Sequence, residues 1–584
     1  MSTNYLLITL GHSSSAIFVD NSDKKPEIIG YEQERLSRIK ADSQFPIDAI
    51  NEIKRNVGNK ILGCTILVSH WFNFNENSIP NKYISENDML LLKQISSDIK
   101  FVSPEFTHHD AHAYSAYTFY KYFCPKNKIN NTLVHCIVAD GFGNDEEVLS
   151  IYSANLSNPN DKPKCIHRVY GYYNSLGLFY QYATSFVGMK ENQDEYKFLG
   201  YEAHIDEVVD KNKIIILDEY IGSFAETFIT HLLGDTKKLS KYELGKDIIR
   251  FSELGNVKEF WHSKFTEVLR TVNVDEYFIE KARCIIAYVV QQTVETAISA
   301  LIKEFGIINL CVAGGCFYNV KLNNKLLNSI TGLFSAMPLA GDQGAAIGMY
   351  ANECGLDKFP FNTLAWGKRR LYNIEKLASK QENVIYASNI RDKQIYDYIT
   401  DCIAKYIANG HIVDLVFGDM EFGPRALCNT STLFLPTSEN TKHNNSMNKR
   451  NEVMPCAPVC TIENAQNLFN ENELNRVIGS DRFMICTHEY CRGYSEQYSG
   501  VMHKKPFKDV YTGRPQIVRN NTFIHTVLEK VEELTDVKCL VNTSFNVHGC
   551  PIVFDAAEIL QNHAFQTEHS EQGYEPILFI IAVD

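Results

Sequence analysis

Short dense apolar runs alternate along the chain with longer periodic stretches, the pattern of strands interleaved with helices. Tyr5 to Leu10 is such a run, closed by Gly11-His12-Ser13-Ser14-Ser15 and resumed at Ala16–Val19, which predicts a hairpin with an exposed polar tip. Leu133 to Ala139 predicts another strand, ending in the polar turn 140–145. Helical periodicity is clearest over 278–305 and leads through a strand at Ile307–Val312 into the turn Ala313-Gly314-Gly315. A second glycine turn, Gly341 to Ala346, opens a helix. The pattern loosens from Asp357 to Asn389, which sets the expected boundary between domains at 1–385 and 390–584. Beyond it, Ile395–Ala408 reads as helix, Ile412–Phe417 as strand, Ser438–Asn445 as a polar loop, and Cys539–Val541 as a strand running into Asn542-Thr543-Ser544-Phe545-Asn546. No internal repeat shows in the sequence.

Composition narrows the class without naming a function. The 584 residues, 45% hydrophobic and 22% charged, describe a chain that folds by burial and exclude a disordered one. A net charge of −13 argues against duplex nucleic acid as a partner, though a few local cations can still hold a small anion. Sixteen cysteines without a CxxC pair fit reduced thiols. The first ten residues lack a basic, then apolar, leader, and no run is read as spanning a bilayer, so a cytoplasmic location without membrane attachment is expected.

Several clusters carry chemistry. His108 and His112 stand four apart, so a helix puts both imidazoles on one face, where they can grip one cation. Read alone, the pair fits a solvated helix start equally well. Asp140 and Asp342, each in a turn after an apolar run, would complete a His2Asp2 set suited to iron(II), manganese or zinc. The turns at Gly314-Gly315 and Gly341–Ala346 let backbone amides approach a phosphate, although neither is a P-loop. Arg425, placed by Gly423-Pro424 at the mouth of an expected helix, can fork two hydrogen bonds onto a phosphate or carboxylate, and Arg450 and Arg514 lie in loop-like stretches from which they could join it.

Taken in order, His12 in GHSSS, Glu32–Lys40 followed by Phe45-Pro46, the HHDAHA run, Ala313–Asn319, Ala340–Gly344, Glu421–Leu427 and Asn542–Asn546 resemble the NodU/CmcH-type O-carbamoyltransferases over nearly the whole chain. The resemblance implies an α/β protein: an actin- and sugar-kinase-like N-terminal domain, similar to the tRNA threonylcarbamoyl-transfer ATPase, and a YrdC-like α/β C-terminal domain. It implies that carbamoyl phosphate and ATP give carbamoyl-adenylate in the second domain, and that the first passes the carbamoyl group to an alcohol. His108, His112, Asp140 and Asp342 would then bind iron(II) or another divalent metal, and magnesium is open as a companion of ATP. His12 would take the alcohol proton and Lys40 would offset negative charge. Gly314, Gly315 and Asn319 would lie against the nucleotide, while Arg425, Arg450, Arg514, Asn542 and Asn546 would line the carbamoyl phosphate and ATP pocket. The expected partner is a small hydroxylated acceptor, and a homodimer is compatible with the sequence.

The chain departs from that family at identifiable positions. Cys428 and Thr430 stand where a Gly and an Arg are usual, and Asn448 and Met454 where a Lys and an Arg are usual. Each lost cation would remove about 1.5–3 kcal/mol of charge-assisted bonding, with Lys449 or Arg519 as candidate substitutes. Lys197–Ala203 is only loosely similar to the family's GKVMGLA. Two other functions remain open at this level: a tRNA threonylcarbamoyl-type transferase, and a nucleotide-binding module without catalysis.

Overall fold

A computed structural model describes residues 3–70, 83–129, 133–158, 161–234, 251–274, 279–450, 456–520 and 522–583. The first sheet is built from β1 (Tyr5–Thr9), β2 (Ser15–Asp20), β3 (Glu27–Glu32), β4 (Thr65–Val68) and β5 (Ile99–Phe101), in the order β3-β2-β1-β4-β5. β1 and β2 form the expected hairpin, with Leu6 opposite Phe18, while β4 runs parallel to β1 and β5 parallel to β4. β2 is buried throughout and β4 likewise, because both faces of this sheet are covered; that is why these strands read as solid apolar runs.

The second sheet repeats the plan. It contains β6 (Leu133–Ala139), β7 (Glu147–Asn155), β8 (Lys164–Tyr170), β9 (Leu310–Ala313) and β10 (Phe334–Ala336), ordered β10-β9-β6-β7-β8. Here too the first strand has two successive antiparallel neighbours on one side and two parallel ones on the other. The repeat is one of topology, carried by burial pattern rather than by residue identity, so the sequence did not display it. It is the arrangement expected of the actin- and sugar-kinase-like part.

Two helices join these sheets. His108–Phe123 precedes β6, and Asp342–Cys354 follows β10. They touch so closely that a Cβ on Gly348 would stand 1.7 Å from the Ala111 carbonyl oxygen. The long helix Ile279–Glu304 is apolar on nearly all sides, and by length and composition it could cross a membrane, contrary to the reading that no run is long enough. With 72% of its most apolar window buried, it is a core helix wrapped by protein.

A third, mixed sheet of seven strands holds the C-terminal part. In chain order the remaining strands are β11 (Ala365–Gly367), β12 (Val384–Ala387), β13 (Val413–Phe417), β14 (Met420–Glu421), β15 (Thr430–Phe434), β16 (Ala457–Thr461), β17 (His488–Glu489), β18 (His503–Lys504), β19 (Tyr511–Gly513), β20 (Gln516–Val518), β21 (Leu540–Ser544) and β22 (Ile577–Ile581). The large sheet runs β12-β22-β13-β15-β21-β16-β20. Two local expectations fail. The polar stretch at 438 is a helix, Ser438–Met447, capped by the Thr437 hydroxyl, with Asn440, Asn444, Asn445 and Met447 buried. Its asparagines are partly satisfied inside the protein, as where Asn448 Nδ2 donates to the Asn444 carbonyl at 3.0 Å, so polarity misreports exposure. No helix follows Arg425, because Gly423 (φ 102°) and Cys428 (φ 70°) turn the chain directly into β15.

The two parts are tied by buried polar contacts. Phe334 of β10 donates to the Arg476 carbonyl and accepts from Ile478, and Ile485 and Cys486 sink into the core beside the second sheet. Arg35, 1% exposed, donates to Glu32 Oε2 (3.0 Å) and to the Gly423 carbonyl (2.7 Å), while Gly423 N donates to Glu32 Oε2 at 3.2 Å. Glu32 Oε1 accepts from Gln343, whose Oε1 accepts from the Tyr318 hydroxyl. The turn bearing Arg425 is thereby clasped to the helix that begins at Asp342.

Gly348→Ala should overpack the helix contact and cost about 1–3 kcal/mol, read as an earlier urea midpoint. Gly222→Ala, at an exposed helical position with open space around it, is the control and should leave the midpoint unchanged or slightly raised. Glu32→Ala leaves the buried Arg35 with Glu34, 3.5 Å away, as its remaining ion-pair partner, and thermal or urea unfolding should show a loss of about 1–3 kcal/mol.

Candidate active site

His108 and His112 occupy the first and fifth positions of their helix, whose start is held by a capping box in which the Thr107 hydroxyl accepts from Asp110 N and the Asp110 carboxylate accepts from Thr107 N. Their Nε2 atoms lie 3.1 Å apart. Asp140, at the end of β6, brings Oδ2 to 3.6 Å of His108 and 3.3 Å of His112, and Asp342 brings Oδ1 to 3.3 and 3.6 Å. One donor atom from each residue lies within 4.8 Å of all the others. The solvated reading of the histidines is overturned, since both are buried. Two imidazole nitrogens and two carboxylate oxygens converging here are a donor set that fits one divalent cation. Asp140 Oδ1 is held separately, accepting from Gly141 N at 2.7 Å and Gly315 N at 3.3 Å, which aims Oδ2 at the imidazoles. Although burial opposes charge, the two carboxylates push His108 up to about 10, and the imidazoles hold Asp140 and Asp342 below the usual carboxylate range.

His12 sits exposed on the turn after β1, close enough for its charge to act on Asp342 and on Glu195. Lys40 pairs with Glu34 at 3.4 Å. Gly314 needs its φ of 101°, and a Cβ there would strike the Ala139 carbonyl oxygen at 2.2 Å. Asn319 caps the helix Val320–Ser329 and donates to Gln291 Oε1 at 2.7 Å. His70, after β4, was not singled out from the sequence; it stands near Asp342 and His108, and burial pulls it down to about 3, so it is neutral. An isolated histidine far along the chain offered no spacing signal.

The arginines form a second cluster. Arg425 and Arg514 are half-buried, and among the described residues neither has an ion pair or hydrogen bond. Burial lowers both, and the nearby Arg425 lowers Arg514 further. Arg450 is instead anchored, donating to the Ser544 carbonyl at 2.6 Å, to Asn546 Oδ1 at 3.2 Å and to the Thr543 hydroxyl. Asn546 donates to the Cys550 carbonyl (2.7 Å), and Asn542 donates to the Ala426 carbonyl (3.0 Å) and to Gln516 (2.6 Å), so the Asn542 amide props the Arg425 turn from below.

The departures from the family resolve in different ways. Thr430 donates to Glu421 Oε2 at 2.6 Å, and Arg369, another residue the sequence did not flag, donates to the Thr430 hydroxyl. A guanidinium thus reaches the place from residue 369 instead of 430. Asn448 is buried and accepts from Gln566 at 3.0 Å, a packing role. The Lys449 amine lies over the Phe565 ring at 4.8 Å, Arg519 is exposed, and Lys197 pairs with Asp194 at 2.5 Å. Met454 lies outside the described residues.

Family models described as the carbamoyltransferase N-terminus and C-terminus match residues 92–351 and 404–570. An uncharacterized protein of Methanocaldococcus jannaschii is 26% identical, over 94% of this chain and 95% of its own length. Nodulation protein NolO of Bradyrhizobium diazoefficiens is 28% identical over 66% of each chain, and nodulation protein NolNO of Sinorhizobium fredii is 26% identical over 94% of this chain and 76% of its own. Among solved structures, T. kodakarensis HypF matches 61% of this chain and 48% of its own with 14% identity and a TM-score of 0.29. With both parts matched, the chain belongs to the carbamoyltransferase family and is a carbamoyltransferase.

Proposed function

We propose that the protein is an O-carbamoyltransferase that uses carbamoyl phosphate and ATP, through carbamoyl-adenylate, to carbamoylate a hydroxyl of a small molecule. The observation that carries this reading is the convergence of His108, His112, Asp140 and Asp342 beside the Gly314-Gly315 turn, next to a separate cluster of arginines without counter-ions. In the second part, Arg425 and Arg514 hold the phosphate of carbamoyl phosphate, with Arg450 and Asn546 as the floor. Hydrolysis of carbamoyl phosphate gives carbamate and phosphate, and carbamate attacks the α-phosphorus of ATP to give carbamoyl-adenylate and pyrophosphate.

In the first part, the Gly314-Gly315 backbone and Asn319 lie against the nucleotide. A divalent cation held by the four converging side chains, iron(II) on the family resemblance, supplies charge neutralisation to the adenylate phosphate. The imidazole of His12 takes the acceptor's hydroxyl proton as the oxygen bonds to the carbamoyl carbon, and the bond from that carbon to the AMP oxygen breaks. Lys40 offsets the charge that develops there. The products are a carbamate ester and AMP. The exposure of His12 supports an acceptor that enters from solvent.

Incubated with carbamoyl phosphate, ATP and a panel of hydroxylated compounds, the protein should raise one acceptor's mass by about 43 Da, the carbamoyl group replacing a hydrogen in a group transfer, with AMP released in step. His12→Ala should lower kcat for transfer by about 10²–10⁴-fold, and Arg514→Ala should raise the KM for carbamoyl phosphate by about 10–100-fold through one lost charge-assisted contact. Stringent chelation should stop transfer. Full activity after chelation, or AMP release that no acceptor or trap alters, would refute the reading.

A further inference from the structure

A cavity of about 420 Å³ opens between residues 362–365, the turn 427–429 and the N-terminus of the helix Phe523–Thr535. Arg425, Arg450 and Arg514 do not line it. Its volume is in the range of small-molecule sites. One side is apolar, including Leu427 and the rings of Phe417 and Phe523, which stack with centroids 4.6 Å apart. The lining also carries Arg482 and Arg519.

These two guanidiniums have no ion pair among the described residues. Arg482 lies over the Phe123 ring at 4.9 Å, and its buried Nε has no hydrogen-bond partner among them. Burial and the neighbouring Arg519 both pull Arg482 down. Burial pushes the carboxyl of Asp481, adjacent in sequence, up, while Arg519 and Arg482 act against that rise. Two cations facing one small space, one with a desolvated and unused donor, are stabilised by an anion that enters and accepts from both. The start of the thirteen-residue helix adds positive potential at the same mouth.

We propose that this cavity is a second anion site of the protein, taking a small phosphorylated molecule with a flat apolar moiety, the chemistry of a nucleoside monophosphate. The phosphate meets Arg482 and Arg519, and the flat moiety lies on the Phe417 and Phe523 side. Gln516, part of the lining, donates to the Leu427 carbonyl at 3.1 Å and accepts from Asn542 at 2.6 Å.

Equilibrium dialysis of the full chain with AMP and, separately, with inorganic phosphate tests this. AMP should saturate at one molecule per chain more in the wild type than in Arg519→Glu, and Arg519→Ala should weaken that class of binding at least tenfold. Arg519 is exposed and its side chain makes no hydrogen bond or ion pair among the described residues, so these variants keep the fold; Arg482→Ala, which also loses a ring contact, is the secondary variant. Inorganic phosphate should compete for the same class more weakly than AMP, and equal affinity would overturn the assignment of a flat moiety. Unchanged AMP stoichiometry and affinity in Arg519→Glu would overturn the site. Both results are independent of whether any acceptor is carbamoylated.

Discussion

The close approach of two helices, Gly348 of one against the Ala111 carbonyl of the other, governs the geometry of this protein. Small residues make it possible: Gly348 of one helix lies against Ala111 and Ser115 of the other. Since His108 and His112 lie within the first two turns of one helix and Asp342 begins the other, the distance between helix axes sets the distance between donors. Asp140 completes the set from the end of β6, directly beside this pair. His12, His70, Asp140 and Gly314 follow β1, β4, β6 and β9, so the candidate site lies at strand carboxyl ends, where open α/β sheets place their ligands. Duplication of the sheet supplies two such edges, and the helix contact closes them on one another.

Charge is handled in opposite ways on the two sides of the molecule. Around Asp140 and Asp342, carboxylates and imidazoles compensate one another at 3.3 to 3.6 Å, and their donor atoms form a set that fits a divalent cation. Around Arg425 and Arg514 no carboxylate forms an ion pair among the described residues, and neither guanidinium is engaged by a hydrogen bond there. Glu421 makes that possible, since one of its oxygens accepts from the amides of Leu427, Asn429 and Thr430 at 2.8 to 2.9 Å and spares the arginines from bracing the loop themselves. Their donors remain available to a ligand. The Glu32–Arg35–Gly423 clasp then sets this turn in register with the Asp342 helix through a chain of buried hydrogen bonds.

Features written in local spacing are legible in the sequence alone. The β1–β2 hairpin, the core helix at 279–304, the glycine turns and the shared face of His108 and His112 depend on neighbours within a few residues, where periodicity and turn chemistry speak directly. What stays hidden depends on partners far apart in the chain. Glu32 meets Gly423, Arg369 meets Thr430, and Phe334 meets Arg476 and Ile478, contacts that no window along the sequence contains. The Ser438–Met447 helix escapes a sequence reading for a related reason: a polar sequence signals solvent only when its hydrogen bonds are made to water, and here buried asparagines find partners inside. His70 gives no signal because its environment, not its neighbours in sequence, makes it part of the site.

The departures at 430 and 448 bear on whether this chain has lost part of its anion chemistry. At these two positions the sequence lacks two cations that are usual in the family. In space, Arg369 brings a guanidinium to the Thr430 hydroxyl and is itself held by the Gly418 carbonyl at 2.8 Å and the Asn429 carbonyl at 3.2 Å, and burial lowers it to about 10 while Glu421 works against that fall. The positive charge near Glu421 is therefore supplied from the segment that joins the two parts of the molecule, with Thr430 as the hydroxyl link between guanidinium and carboxylate. Asn448 has gone the other way, turned into the core by Asn444 and Gln566, where a lysine would be left with a buried, unpaired charge. The sequence differences thus redistribute the cations: one is replaced from a distance, one position becomes part of the packing, and Arg425 and Arg514 remain open to whatever anion the site receives.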